Sequence, residues 1–364
     1  MHHNAPSKKI NMAYVAKMAK VHQGTVSRAL RNDPRITVET RERIQKLADE
    51  LGYRPNPLVS ALIAEKRKGS PSGYGSTIAF LTSGETKDQW HKLSPQYAVM
   101  REHLQRHAYK RGYNLEDFWL HDTEMPSSRL RQILHYRGIL GVIVCPLQGS
   151  INKLDFDFEK FASVAIGYTL RDPILDHVAI DYYSVMQKIL ARLIQNKSFK
   201  RIGFTTPASI SSRVQDLSLS AYLGQKFQHP KRLLSPVISE NLNLEASFTK
   251  WVQSKKPNVI ICPTHTSYVA CQNALEKMGL SVPRDISIVC ADCHIDSSVS
   301  GILQDLDAEA SAVIELLTSR MEHGIFGIPQ QPQTIMVNGT WRDGDTLRAT
   351  IDNEGAQEKR IKTI

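Results

Sequence analysis

Between Gln23 and Arg28 the sequence reads QGTVSR. Gln23, Gly24, Thr25, Ser27 and Arg28 fall on the outward side of a short helical pattern whose apolar positions are Val21, Val26 and Leu30. Short polar groups and one arginine on an exposed helix can hydrogen-bond base edges and phosphates when the helix enters a major groove. A second group with potential chemistry is aromatic. Trp90 and Tyr97 follow the first β-rich run, where their rings fit equally well stacked on a flat or sugar-like ligand or packed in a core. The five cysteines lie within or beside apolar runs. Cys290 and Cys293 form a C-x-x-C, but no second pair or histidine cluster completes a metal site, and Cys290 reads as the end residue of the strand ISIV. There is no G-x-S-x-G, no phosphate-binding loop motif and no strand followed by G-x-G-x-x-G. These absences disfavour an enzyme, and no cofactor or metal is expected.

The charge is uneven. Residues 1–68 hold 14 Lys and Arg against 6 Asp and Glu, whereas residues 69–364 hold 32 against 30. Basicity concentrated on a small head is the electrostatic footprint of a polyanion binder, because each phosphate neutralised releases condensed counterions. The length of 364 residues suits two or three units. No apolar run is long enough to span a bilayer and MHHNAPSKKI has no hydrophobic stretch, so a cytoplasmic protein without a membrane partner is expected.

The elements that must position the polar run are three short helices. One begins after Asn11, a second starts near His22, and a third is capped at Thr37 and runs to about Leu51, with Gly52 stopping it. Asn56 and Pro57 suit the start of a fourth, and the polar stretch Lys66 to Ser76 has linker composition. Apolar β-rich runs (TIAFLT, YNLEDFWL, GVIVCP, VAIGY, RIGFTT, VIICP and ISIVCA) then alternate with helical windows, one of them from about Ser212 to Phe227. That rhythm predicts parallel, doubly wound sheets. About 270 residues of it exceed one such sheet and point to two lobes around a cleft. The expected units are a helix-turn-helix head at 1–54, a short helix and linker at 55–75, a two-lobed α/β domain at 76–346 with a lobe boundary near 168, and a charged tail at 347–364.

Residues 10–63 resemble the DNA-binding head of the lactose/galactose repressor family. The resemblance is carried by VAKMAKVHQGTVSRAL and by DPRITVETRERIQKLADELGYRPNPLVSALI. It implies a small all-α head on a periplasmic-binding-protein-like domain, acting as a homodimeric transcription regulator on a palindromic operator under a small-molecule effector, a sugar or sugar-related compound. It gives Gln23 and Gly24 the base-reading positions, Thr25 and Ser27 phosphate contacts, and Arg28 the groove-facing arginine. It also makes Asn56 a hinge-helix cap and Leu62 an apolar wedge that would unstack a central base step. Three residues depart from the family pattern. Lys20 stands for a turn glycine, His22 for a Ser or Thr cap and Tyr14 for an acidic residue.

The rest of the chain resembles the family's regulatory domain more weakly. KRIGFTT with SSRVQDLSLSAYL marks Arg213, and NALEKMGLSVPRDISIVCAD marks Asp292, as ligand contacts. Arginine can pair with a carboxylate or phosphate, and an aspartate at a strand end can accept from hydroxyls. Salt-bridge roles fit the same two residues. Thr264 and His265 replace a familiar Asn-Asp pair, which puts a common hexose in doubt. No leucine heptads follow the last strand, so a tetramer-forming coiled coil is not expected. The rival reading is a cytoplasmic solute-binding or enzyme-like α/β domain with an accessory DNA-binding head.

Overall fold

The computed structural model describes residues 12–30, 36–51, 53, 76–84, 86–87, 89–120, 126–240 and 245–348. The expected hinge and linker at 55–75, with Asn56 and Leu62, lie outside the described residues, as do Asn11, Gly52 and most of the tail.

In the head, α1 (Met12–Ala19), α2 (Gln23–Leu30) and α3 (Val38–Glu50) enclose one apolar cluster of Val15, Ala16, Ala19, Val26, Ala29, Ile44 and Ala48. The apolar side chains recur at helical spacing, so burying them fixes how the helices cross. Helix ends leave carbonyls without intrahelical donors. Here Arg43 Nη1 donates to Ala19 O at 3.2 Å and Gln45 Nε2 to Ala29 O at 3.0 Å, so α3 closes the ends of both other helices. Lys20 turns the chain between α1 and α2 at φ 55, the left-handed region in which a glycine is at ease.

The larger unit holds two six-stranded sheets. After the head come β1 (Ser76–Thr82), α4 (Gln89–Lys92), α5 (Pro95–Lys110), β2 (Tyr113–Trp119), α6 (Ser127–Tyr136), β3 (Gly141–Val144), β4 (Ala162–Ile166) and β5 (Asp176–Ile180). Then follow α7 (Tyr182–Gln195), β6 (Ile202–Pro207), α8 (Ala208–Arg213), α9 (Leu217–Gln228), β7 (Val237–Ser239), α10 (Glu245–Lys255), β8 (Val259–Cys262), α11 (His265–Lys277) and β9 (Ser287–Cys290). The last of the described elements are β10 (Gly301–Leu303), α12 (Leu306–His323), β11 (Thr334–Val337) and β12 (Thr340–Arg342). The sheet orders are β11-β5-β4-β3-β1-β2 and β12-β10-β9-β8-β6-β7, parallel throughout except for β12 on β10. Each sheet is covered on both faces, which is why β3, β4, β8 and β9 are buried along their whole length and read as near-continuous apolar runs.

Two expectations are corrected by the topology. The first passage between lobes comes after β5, at 180–182, rather than near 168, because β5 still extends the first sheet. The chain also returns, since α12 and β11 pack on the first sheet before β12 rejoins the second. The single helical window expected at Ser212 to Phe227 is two helices. Gln215 and Asp216 both adopt positive φ, 52 and 56, and Ser211 Oγ donates to Asp216 Oδ1 at 2.6 Å to hold the break. The break leaves Arg213 at the end of a short helix directly beyond β6.

Candidate functional site

In α2 the buried Val26 and Ala29 face the core, while Gln23 is exposed and Gly24, Thr25 and Arg28 are partly exposed. Arg28 Nε donates to Gly24 O at 3.2 Å, which lays the guanidinium along the outer side of its own helix. The backbone N–H of Gly24 donates to His22 Nδ1 at 3.1 Å, so His22 performs the capping task of the residue type it replaces. A Cβ at position 24 would lie 3.2 Å from that imidazole and 3.7 Å from Arg28 Nη2. Gly24 therefore sits where the ring and the guanidinium converge. Of Ser27 only the backbone is described, within α2.

The second site lies between the lobes, beyond the carboxyl ends of the parallel strands, where doubly wound sheets bind ligands. Ser94 caps α5 by accepting from Gln96 N at 3.3 Å, and its hydroxyl donates to Gln96 Oε1 at 3.0 Å. Held in this way, Gln96 Nε2 donates to Asp292 Oδ1 at 2.6 Å on the opposite lobe. Arg213 crosses in the other direction, its Nη1 donating to Leu147 O at 2.8 Å and Gly149 O at 3.4 Å. Arg171 also donates to Ser212 O across the junction. Tyr97 lies beside Arg213 and Gln148; burial raises its hydroxyl pKa, and those two side chains partly offset the rise.

Trp90 is fully buried. Its ring stacks on Tyr97 at 4.7 Å and 4°, meets Phe80 edge-on at 5.0 Å, and its Nε1 donates to Pro146 O at 3.4 Å. Of the two readings, Trp90 takes the packing one and supports Tyr97 from behind. Thr264 caps α11, accepting from Ser267 N at 3.2 Å. Next to it the His265 ring stacks on His294 at 4.0 Å, and burial lowers both imidazole pKa values.

Tyr97, Arg213 and Asp292 are thus brought to one junction, with Thr264 at the end of the strand beside that of Asp292. Sequence reasoning missed Gln96, Gln148, Tyr182, Gln304 and Glu309. Glu309 was detectable. In LDAEASAVIEL it occupies the stripe that buries Ala310, Val313, Ile314 and Leu317, so it is an acid on a core-facing side of α12. It is 4% exposed, and burial followed by the nearby Asp292 raises its pKa to about 8. Asp292 itself is raised to about 7 by burial, with the Gln96 hydrogen bond opposing.

A basic three-helix head on a two-lobed, cleft-bearing α/β unit defines a one-component regulator. Residues 11–56 match the model for bacterial regulatory proteins of the lacI family, and residues 191–346 match the periplasmic-binding-protein-like domain. The HTH-type transcriptional regulator AscG of Escherichia coli is 24% identical over 291 residues, covering 77% of this chain and 81% of that protein. The ribose operon repressor of Haemophilus influenzae is 21% identical over 333 residues, covering 86% of this chain and 92% of that one. Among solved structures, a lac repressor dimer bound to operator and an anti-inducer superposes with a TM-score of 0.55 at 16% identity, covering 94% of this chain and 100% of that one. The complex of the regulator CelR with cellobiose gives 0.54 at 16% identity, covering 93% and 99%. The chain joins a head that matches the lacI-type regulators to a periplasmic-binding-protein-like domain, and it is a DNA-binding, ligand-responsive transcription regulator. No helix among its described residues is long and apolar enough to cross a membrane.

Proposed function

We propose that the chain represses transcription as a homodimer on a pseudo-palindromic operator and that a small molecule in the interlobe cleft controls it. Gln23 and Gly24 read bases, Thr25 and Ser27 hold phosphates, and Arg28 supplies a fork for a base edge. Asn56 and Leu62, which lie outside the described residues, take the hinge-cap and wedge roles that the sequence resemblance assigns to them. The cleft uses Arg213, Asp292 and Tyr97 on the effector, with Thr264 at the rim and Trp90 as backing. A change in lobe rotation alters the spacing of the two hinges, which couples effector to operator. The protein acts by binding and carries out no catalysis, in the cytoplasm where its operator lies.

The observation that carries this reading is the convergence of Gln96, Tyr97, Arg213 and Asp292 from two lobes in a chain that also carries the head. The test is selection of duplexes from a random pool at ~150 mM salt, where non-specific phosphate binding is weakened. Enrichment of a palindrome with a pyrimidine–purine centre is expected. Enrichment of unpaired half-sites alone would overturn the dimer and the hinge wedge together.

A further inference from the structure

Glu309 and Asp292 approach the junction from opposite lobes, one on a helix packed against the first sheet and the other beyond the last residue of β9. Two like-charged carboxyls at such a place need a counter-charge, because burial strips their hydration and each disfavours ionisation of the other. Among the described residues none is supplied. Gln96 is the polar group that meets Asp292, and burial and Asp292 are what act on Glu309. Arg213 spends its Nη1 on the Leu147 and Gly149 carbonyls. Tyr168, which lies within the field of Glu309, donates its hydroxyl to Ile180 O at 3.2 Å.

Two further groups are incomplete at the same place. Glu309 is 4% exposed, yet no hydrogen-bond donor among the described residues meets its carboxyl. Gln304 Nε2 is buried without an acceptor, while the Gln304 side chain bonds Tyr182, whose hydroxyl lies within the field of both acids. A buried polar group left unmatched costs free energy, and its natural completion is a ligand atom of opposite character.

Building on the cleft as the effector site, we infer that the effector is a hydroxyl-bearing amine, its ammonium held between Asp292 and Glu309 and one of its oxygens accepting from Gln304 Nε2. An ammonium offers three donors and no acceptor, which suits two buried carboxyls that lack a counter-charge. Its arrival lets both acids ionise, so binding near neutral pH releases protons. Tyr97, backed by Trp90, provides the flat surface for the body of the ligand.

The experiment is titration calorimetry of the full chain with matched pairs, glucosamine against glucose and galactosamine against galactose, in buffers of different ionisation enthalpy. The amine of at least one pair is expected to bind about tenfold or more tightly than its neutral partner, the gain of a charged hydrogen bond. The heat should vary with the buffer as protons are released. Glu309→Gln should bring the amine down to the level of the neutral sugar, and Asp292→Asn serves as the second variant if the first folds poorly. Neutral sugars binding as well as their amines would overturn the inference and leave the effector cleft standing. Amine binding indifferent to both substitutions would overturn the carboxyl pair. Failure of every sugar, charged and neutral alike, in protein that still selects its operator would count against the effector cleft itself.

Discussion

Gln96 Nε2 lies 2.6 Å from Asp292 Oδ1, although 196 positions separate the two residues in the chain, and this contact joins the two lobes at one edge of the cleft. Arg213 joins them at another through the carbonyls of Leu147 and Gly149. Closure therefore rests on a few polar contacts made across the junction, in a fold whose lobes are connected by three passages of the chain. Polar contacts exchanged against water are individually modest, so such a closure is readily biased by a ligand.

Gln96→Ala should open the lobes. The lost bond is worth about 1–2 kcal/mol, a shift of roughly tenfold in the ratio of open to closed forms. Small-angle scattering or paired fluorophores on the two lobes would read the change. A distance distribution identical to that of the wild-type chain would show that closure does not depend on this contact.

A second prediction concerns the head. Lys20 holds φ 55, a conformation that costs a residue with a Cβ about 1–2 kcal/mol. Lys20→Gly should therefore stabilise the α1–α2 turn by up to about 1 kcal/mol, after the greater freedom of glycine in the unfolded chain is subtracted. Hydrogen exchange of the α1 and α2 amides in the full chain should slow. Faster exchange would mean that the Lys20 side chain contributes more than its backbone costs.

Arg28 and Thr25 should separate in their effects on DNA. Arg28→Ala is expected to cost about 1–3 kcal/mol at one base pair and to relax preference there, whereas Thr25→Val should weaken all sites alike. Competition binding to single-base variants of the selected operator distinguishes them. An Arg28 variant with unaltered sequence preference would remove Arg28 from the base-reading set.

The large apolar signals carried the fold. The runs containing β3, β4, β8 and β9 were legible because strands buried on both faces leave no polar alternation to confuse. The break at Gln215 and Asp216 was not, since two polar residues in left-handed conformation are held by Ser211 rather than by any local glycine or proline. The lobe boundary was misplaced because the strand after VAIGY extends the same sheet, which only pairing partners reveal. In the site, Arg213, Asp292 and Tyr97 stood out by residue type and motif. Gln96 and Gln304 did not, because their significance arises from contacts that local pattern does not encode, whereas Glu309 was legible as an acid on the core-facing stripe of α12 and was passed over. Trp90 was ambiguous until its stack on Tyr97 fixed it as support.

The last prediction is a pH dependence whose sign follows from groups pulling in opposite directions. Burial first, and for Glu309 also the nearby Asp292, raise Asp292 to about 7 and Glu309 to about 8 from their ordinary 3.8 and 4.5. The folded chain therefore binds more protons than the unfolded chain between those limits, and stability falls as pH rises through that window. His265 and His294 act the other way. Burial lowers both from 6.5, so their contribution is present above that value and is lost as pH falls through their folded-state range. Stability should therefore decline toward about pH 8, with the histidines opposing the decline only near and below 6.5. Glu309→Gln should flatten the decline above 6.5 by several degrees in midpoint, at about 2–4 °C per kcal/mol. Thermal melts of both proteins across this range supply the comparison. Parallel curves would mean that Glu309 does not titrate in the folded chain within this window, and would leave Asp292 and the histidine pair as the groups that shape the profile.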